Sequence, residues 1–150
     1  MKSRRSARIR AAAISTAVLL AGVLPGAAHA QVPRTKTPPG AAVYFITPHD
    51  GDTVSNPFTV RFGLKGMGVG PAGLDNPKTG HHHLLIDTLA PRPDLPIPND
   101  AKHRHFGGGQ TEVELALPPG QHTLQLLLGD KNHVPHSKPL LSKRITITVK

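Results

Sequence analysis

Apolar and polar residues alternate one by one through four segments of the chain. In 58–64, Phe58, Val60, Phe62 and Leu64 share one side and Thr59 and Arg61 the other; in 111–117, Val113, Leu115 and Leu117 oppose Glu112 and Glu114. His122, Leu124, Leu126 and Leu128 share a face in 121–128, as do Ile145, Ile147 and Val149 in 143–149. A period of two is that of half-buried strands, because successive side chains of extended backbone point to opposite faces. Two more runs, VYFIT at 43–47 and HHHLLID at 81–87, are strand-like in composition but alternate less cleanly. Beyond residue 30 no segment of ten or more residues keeps a helical period.

The punctuation between these runs fits hairpins and surface loops. Pro118-Pro119-Gly120 makes a tight turn, whereas 65–80 and 88–109 are longer and rich in Gly and Pro. Six strands of this length in about 110 residues predict an all-β domain, an immunoglobulin-like antiparallel β-sandwich of about six to seven strands. Alternation alone also fits a small barrel. In the sandwich, chain direction places the 65–80 loop, the approach to 111–117 and the loop after residue 128 at one end, and the 118–120 turn at the other.

The N-terminus reads differently. Basic residues through Arg10 precede an uncharged run from Ala11 to Leu24, followed by Ala28-His29-Ala30. That order of basic, apolar and small residues is a cleavable secretory signal. The run falls short of the roughly 20 residues of a transmembrane helix, so cleavage is expected to leave no stable membrane anchor. The chain therefore divides into a signal peptide at 1–30, a flexible Pro-rich leader at 31–41 and one domain at 42–150, periplasmic or secreted. Ser3-Arg4-Arg5 also resembles a twin-arginine signal, but Ala7 and Arg8 stand where such signals are apolar, and the export route stays open.

Cleavage changes the charge argument. Lys2, Arg4, Arg5, Arg8 and Arg10 leave with the signal, so the 18 basic residues fall by five against an unchanged 9 acidic ones and the net charge drops from +9 to +4. The remaining charges are scattered, without the basic stripe or interleaved aromatics of a nucleic-acid surface. Nucleic acid is not an expected partner. The chain has no cysteine, which removes both a disulfide framework and a thiolate ligand or nucleophile.

What stands out chemically is histidine. Seven fall in three short clusters, His81-His82-His83, His103 with His105, and His133 with His136, and the expected topology brings all three to one end of the sandwich. Neutral imidazole is a common metal ligand and suits Cu(II), Zn and Ni. His81 and His83 point to one face of a strand, as His103 and His105 would if extended; His133 and His136 flank Pro135. With no cysteine and Met67 the one methionine after the signal, Cu(II) or Zn(II) is favoured over Cu(I). His82 shares the parity of Leu84 and Ile86 and reads as a packed core residue. His122, just after the 118–120 turn, takes the place where sandwiches put a corner side chain whose polar tip ties back to the backbone. His49 reads as a surface turn residue.

Other chemistry is thinly supported. No G-x-S-x-G frames a serine nucleophile, the acidic loop of a calcium site is missing, and Gly107-Gly108-Gly109 lacks the following Lys-Ser/Thr of a phosphate loop. No catalytic residue is nominated, and the domain is expected to be no enzyme. The triple glycine reads as close backbone approach or hinge-like freedom.

The segments GHHHLLID at 80–87, GGGQTEVELALPPGQHTLQLLLGDKNHVPH at 107–136 and SKRITITV at 142–149 resemble a small bacterial exported domain family of unknown function, over about residues 42–150. The resemblance implies an all-β envelope domain without an assigned activity. It places His81, His82, His83, His122, His133 and His136 in the shared segments, with His103 and His105 in the proline loop outside them. Together these features lead to an expected exported binding domain that coordinates a divalent metal through His81 or His83, His133 and His136, completed by His103 or His105. The competing expectation is a structural or adhesion-type envelope module, with an envelope protein as partner, in which the histidines pin loops by hydrogen bonds.

Overall fold

The computed structural model describes residues 33–150; the signal sequence read at 1–30 lies outside the described residues. Nine strands follow in order: β1 (Ala42–Thr47), β2 (Thr53–Val54), β3 (Phe58–Lys65), β4 (Gly68–Val69), β5 (Thr79–Ile86), β6 (His103–His105), β7 (Glu112–Leu115), β8 (Gly120–Gly129) and β9 (Ile145–Val149). They make two sheets, and no helix occurs among the described residues. The smaller sheet has the order β1-β3-β7 and is antiparallel throughout. The larger runs β2-β9-β8-β5, and the far edge of β5 is shared by β4 at its start and β6 further along.

The alternation explains why the two sheets pack face to face. Val43, Phe58, Val60, Phe62 and Leu115 from the smaller sheet meet Leu84, Ile86, Leu124, Leu126, Leu128, Ile145, Ile147 and Val149 from the larger in one core. Full burial of each large aliphatic side chain contributes about 1.5–3 kcal/mol. β1, β3 and β7 in one sheet with β5, β8 and β9 in the other correspond to the first, second and fifth strands against the third, sixth and seventh of the immunoglobulin arrangement. The fourth strand of that arrangement is absent among the described residues. Its connection, from Asp87 to Thr111, instead crosses the outward face of the larger sheet.

That crossing accounts for the imperfect alternation of 81–87. All of β5 from Gly80 to Ile86 is buried, because its even residues face the core while Leu85, with Leu127 of β8, packs under Ile97 of the crossing loop. A strand covered on both faces has no polar side to reveal its period. In β1 the opposite holds, since Tyr44 and Ile46 are apolar yet exposed.

Within the Pro-rich leader, residues 34–37 hydrogen-bond to the segment 135–138. Arg34 Nε donates to the Pro135 carbonyl at 3.0 Å, Ser137 N–H to the Thr35 carbonyl at 2.9 Å, and Lys138 N–H to Thr37 Oγ at 2.9 Å. Its prolines removed the apolar period from the sequence without preventing these bonds, which need only extended backbone.

Candidate metal centre

The crossing loop and the β8–β9 connection cover the odd-numbered face of β5, and that face carries His81 and His83. β6 pairs with β5 so that His105 lies opposite His83, and directly opposed residues on neighbouring strands project to the same side. On the other flank His81 lies opposite Gly129 of β8, so the chain that follows Gly129 enters the same region and supplies His133. Four rings result from three distant segments. Centroid separations are 4.9 Å for His81–His83, 5.0 Å for His81–His105 and His81–His133, 4.9 Å for His83–His105, 4.7 Å for His105–His133 and 6.4 Å for His83–His133.

Potential ligand atoms of His81, His105 and His133 all lie within 4.8 Å of one another. Three points so constrained fit inside a circle whose radius is that limit divided by √3, about 2.8 Å, against metal–nitrogen distances of about 2.0–2.1 Å. Ring movements of under an ångström would bring all three to ligation distance. His83 Nε2 stands 3.1 Å from His81 Nε2, close to the spacing of about 3.3 Å between two nitrogens on a tetrahedral ion with those bond lengths.

Local backbone makes room for these rings. A Cβ on Gly129 would lie 2.9 Å from His83 Nε2 and 3.3 Å from His81 Nε2, and one on Gly107 would lie 2.3 Å from His105 Cε1. Both glycines are therefore cut away beneath imidazoles. His133 sits at a φ of 63°, a left-handed conformation that, after Gly, residues such as Asn, Asp and His adopt most often. Two backbone bonds hold it there, from its N–H to the Asp130 carbonyl at 2.9 Å and from Ile97 N–H to its carbonyl at 2.7 Å.

The environment keeps His81, His83 and His105 unprotonated. Burial, reinforced by His105 and His133, lowers the His81 pKa to about 4 despite the opposing charge of Asp130. Burial and then the neighbouring His81, His105 and His133 lower that of His83 to about 2, and burial followed by His133 lowers His105 as well. An imidazole that sheds its proton readily keeps a lone pair free for a cation. His105 Nε2 and His83 Nδ1 are buried with no hydrogen-bond partner.

The remaining histidines go elsewhere. His103 shares the outer face, where its Nδ1 lies 2.9 Å from Asp100 Oδ1, and it is not among the three residues whose ligand atoms converge. His136 is fully buried against the backbone of Leu128 and Thr79 without completing a hydrogen bond to either, and it joins none of the four rings; the turn at His133 sends the two histidines apart. The clusters thus meet on the outer sheet face near the start of β5 and the end of β8, where β6 adds to the β5 edge. His82 packs on the core side with its ring 5.2 Å from Phe62. His122 bridges Asp87 Oδ2 at 2.7 Å and the Pro118 carbonyl at 2.8 Å, tying the turn at 118–120 to the end of β5.

Sequence reasoning had no signal for Gly129 and missed Asp130, although a buried Asp beginning Asp-Lys-Asn-His is a turn-forming pattern. Met67 packs against the core, so among the described residues no thioether reaches the rings. Among the described residues no helix is long and apolar enough to cross a membrane.

A search of curated proteins returned no match. Among solved structures, the fibronectin(III)-like modules of Clostridium thermocellum CbhA resemble the chain at 14% identity and a TM-score of 0.37, over 72% of this chain and 95% of the module. A family model, "Domain of unknown function (DUF4399)", matches residues 60–150, starting inside β3 rather than at the domain's first strand. That match spans more than half of the chain and takes in all four converging histidines, and the protein belongs to the DUF4399 family.

Proposed function

We propose that this domain is an exported, periplasmic or secreted, metal-binding module that holds one Cu(II) or Zn(II) ion through His81, His105 and His133, with His83 as the fourth imidazole. The observation that supports this most is the convergence of His81, His105 and His133, from β5, β6 and the β8–β9 connection, with His83 beside His81 at 3.1 Å between their Nε2 atoms. Four uncharged nitrogen donors without thiolate, thioether or ligating carboxylate suit these borderline divalent ions. Metal capture or buffering in the envelope requires nothing further of the domain.

The rival reading, a structural module pinned by histidines, draws support from His122 and His103, each bonded to a carboxylate. Within the cluster it reaches only the 3.1 Å contact between His81 Nε2 and His83 Nε2, since His105 Nε2 and His83 Nδ1 have no partner. Unpartnered nitrogens also occur at His82 and His136, so the distinguishing feature is convergence rather than the lack of a partner alone. Calorimetric titration of the tag-free protein near neutral pH tests the proposal: one equivalent of copper or zinc should bind, and no uptake of either would refute it.

A further inference from the structure

His133 is the one ring of the four that comes from a turn, and its position depends on groups far away in sequence. Asp130 is 1% exposed, and its carboxylate is shared between two tasks. Oδ1 accepts Asn132 N–H at 2.8 Å and Val134 N–H at 3.1 Å, the residues on either side of His133. Oδ2 accepts the Thr35 hydroxyl at 2.8 Å and the Thr35 N–H at 3.3 Å. Thr35 is held in turn through the bonds of Arg34 to the Pro135 and His136 carbonyls and through its own carbonyl to Ser137 N–H.

We infer that the N-terminal segment Arg34–Thr37 acts through Asp130 as a tether that fixes His133 in its ligating position and so sets how tightly the four-histidine site holds its ion. This rests on the metal reading above. Two backbone bonds set the turn at His133, and the Asp130 carboxylate clamps the residues on either side of it, while Thr35 holds the carboxylate in place. Asp130 and Thr35 are thus positioning residues, acting on the metal through His133. The tether lies immediately after the expected export cleavage point, so N-terminal trimming that removed Thr35 would loosen the site without touching a ligand.

The test titrates copper(II) chloride and zinc chloride into the native protein and into Thr35→Val, Thr35→Ser and Asp130→Asn variants, with a competing chelator to bring affinity into range. Partners of metal ligands typically control affinity by about 10–100-fold. Asp130→Asn should weaken binding within that range and Thr35→Val at its lower end, with Thr35→Ser restoring the native value. Electron paramagnetic resonance of the copper forms should show one fewer bound nitrogen in Asp130→Asn and Thr35→Val. Amide exchange at Asn132 and Val134 should quicken in both variants without metal. Should Asp130→Asn fail to fold, Thr35→Val, which removes only a hydroxyl donor, decides the matter. Native affinity, nitrogen count or exchange rates in Thr35→Val would overturn the tether alone; failure of the native protein to bind either metal would overturn the metal reading and the tether together.

Discussion

Gly129 lies opposite His81 across the β5–β8 pair, and the place where its side chain would begin is occupied by histidine rings. Replacing Gly129 with alanine should force His81 and His83 aside, because a Cβ there would stand 2.9 Å from His83 Nε2. Overpacking of this kind costs about 1–3 kcal/mol. The variant is expected to melt several degrees lower and to lose at least tenfold in zinc affinity by competition titration. Unchanged affinity in a folded Gly129→Ala protein would mean that the rings do not need their observed positions.

His133 and His136 looked equivalent in the sequence but should behave oppositely. His133→Gly removes a ligand while giving the φ of 63° to the residue that adopts it most freely. Its melting temperature in chelator-treated buffer should match or exceed the native one, and its stabilisation by added zinc should vanish. His136→Ala empties a fully buried site and should lower the melting temperature with metal-induced stabilisation retained. Thermal scans with and without zinc read both outcomes.

The cluster also predicts a direction for acid sensitivity. His81 and His82 are each held at about 4 and His83 at about 2, below the unfolded value of 6.5. The unfolded chain therefore binds more protons than the folded one once the pH falls below about 6.5, and stability declines from there. The contribution is fully present above pH 6.5, and for His81 and His82 it is largely lost by pH 4. Urea midpoints of metal-free protein should fall progressively across that window, and an added His81→Gln change should flatten the slope.

How much of this was legible follows from which physical signal each feature left. Strands β3, β7 and β9 have one wet face, and Thr59, Arg61, Glu112 and Glu114 announced the period of the first two; β8 alternates although its second half is buried on both faces. β5 has none, and its histidines read as a triplet of uncertain direction until Leu84 and Ile86 supplied the parity that places His82 in the core. β6 was invisible as a strand because three residues, His103–His105, carry no period. His103 was separable from His105 only once Asp100, three residues upstream, was seen to turn back onto it. The tether was hidden for a different reason: Thr35 and Asp130 lie 95 residues apart, and a bond over that distance has no local pattern.

His122 provides the opposite pH dependence and so an internal control. Its bond to Asp87 raises its pKa, and the Pro118 carbonyl adds to this against the effect of burial. Asp87 is lowered, since its bonds from His122 and Thr123 outweigh its own desolvation. A raised histidine stabilises the fold fully below its unfolded value of 6.5 and loses that contribution as pH rises through the folded value; a lowered aspartate stabilises above its unfolded value of 3.8 and loses it in acid. The pair should therefore contribute most between about pH 4 and 6.5, by on the order of 1 kcal/mol for so exposed a bridge. Asp87→Asn keeps an oxygen for Thr123 N–H and removes the charge. Its stability deficit relative to the native protein should be largest near pH 5 and shrink above pH 8, measured by urea unfolding. A deficit constant from pH 5 to pH 9 would show that His122 holds the 118–120 turn as a neutral ring.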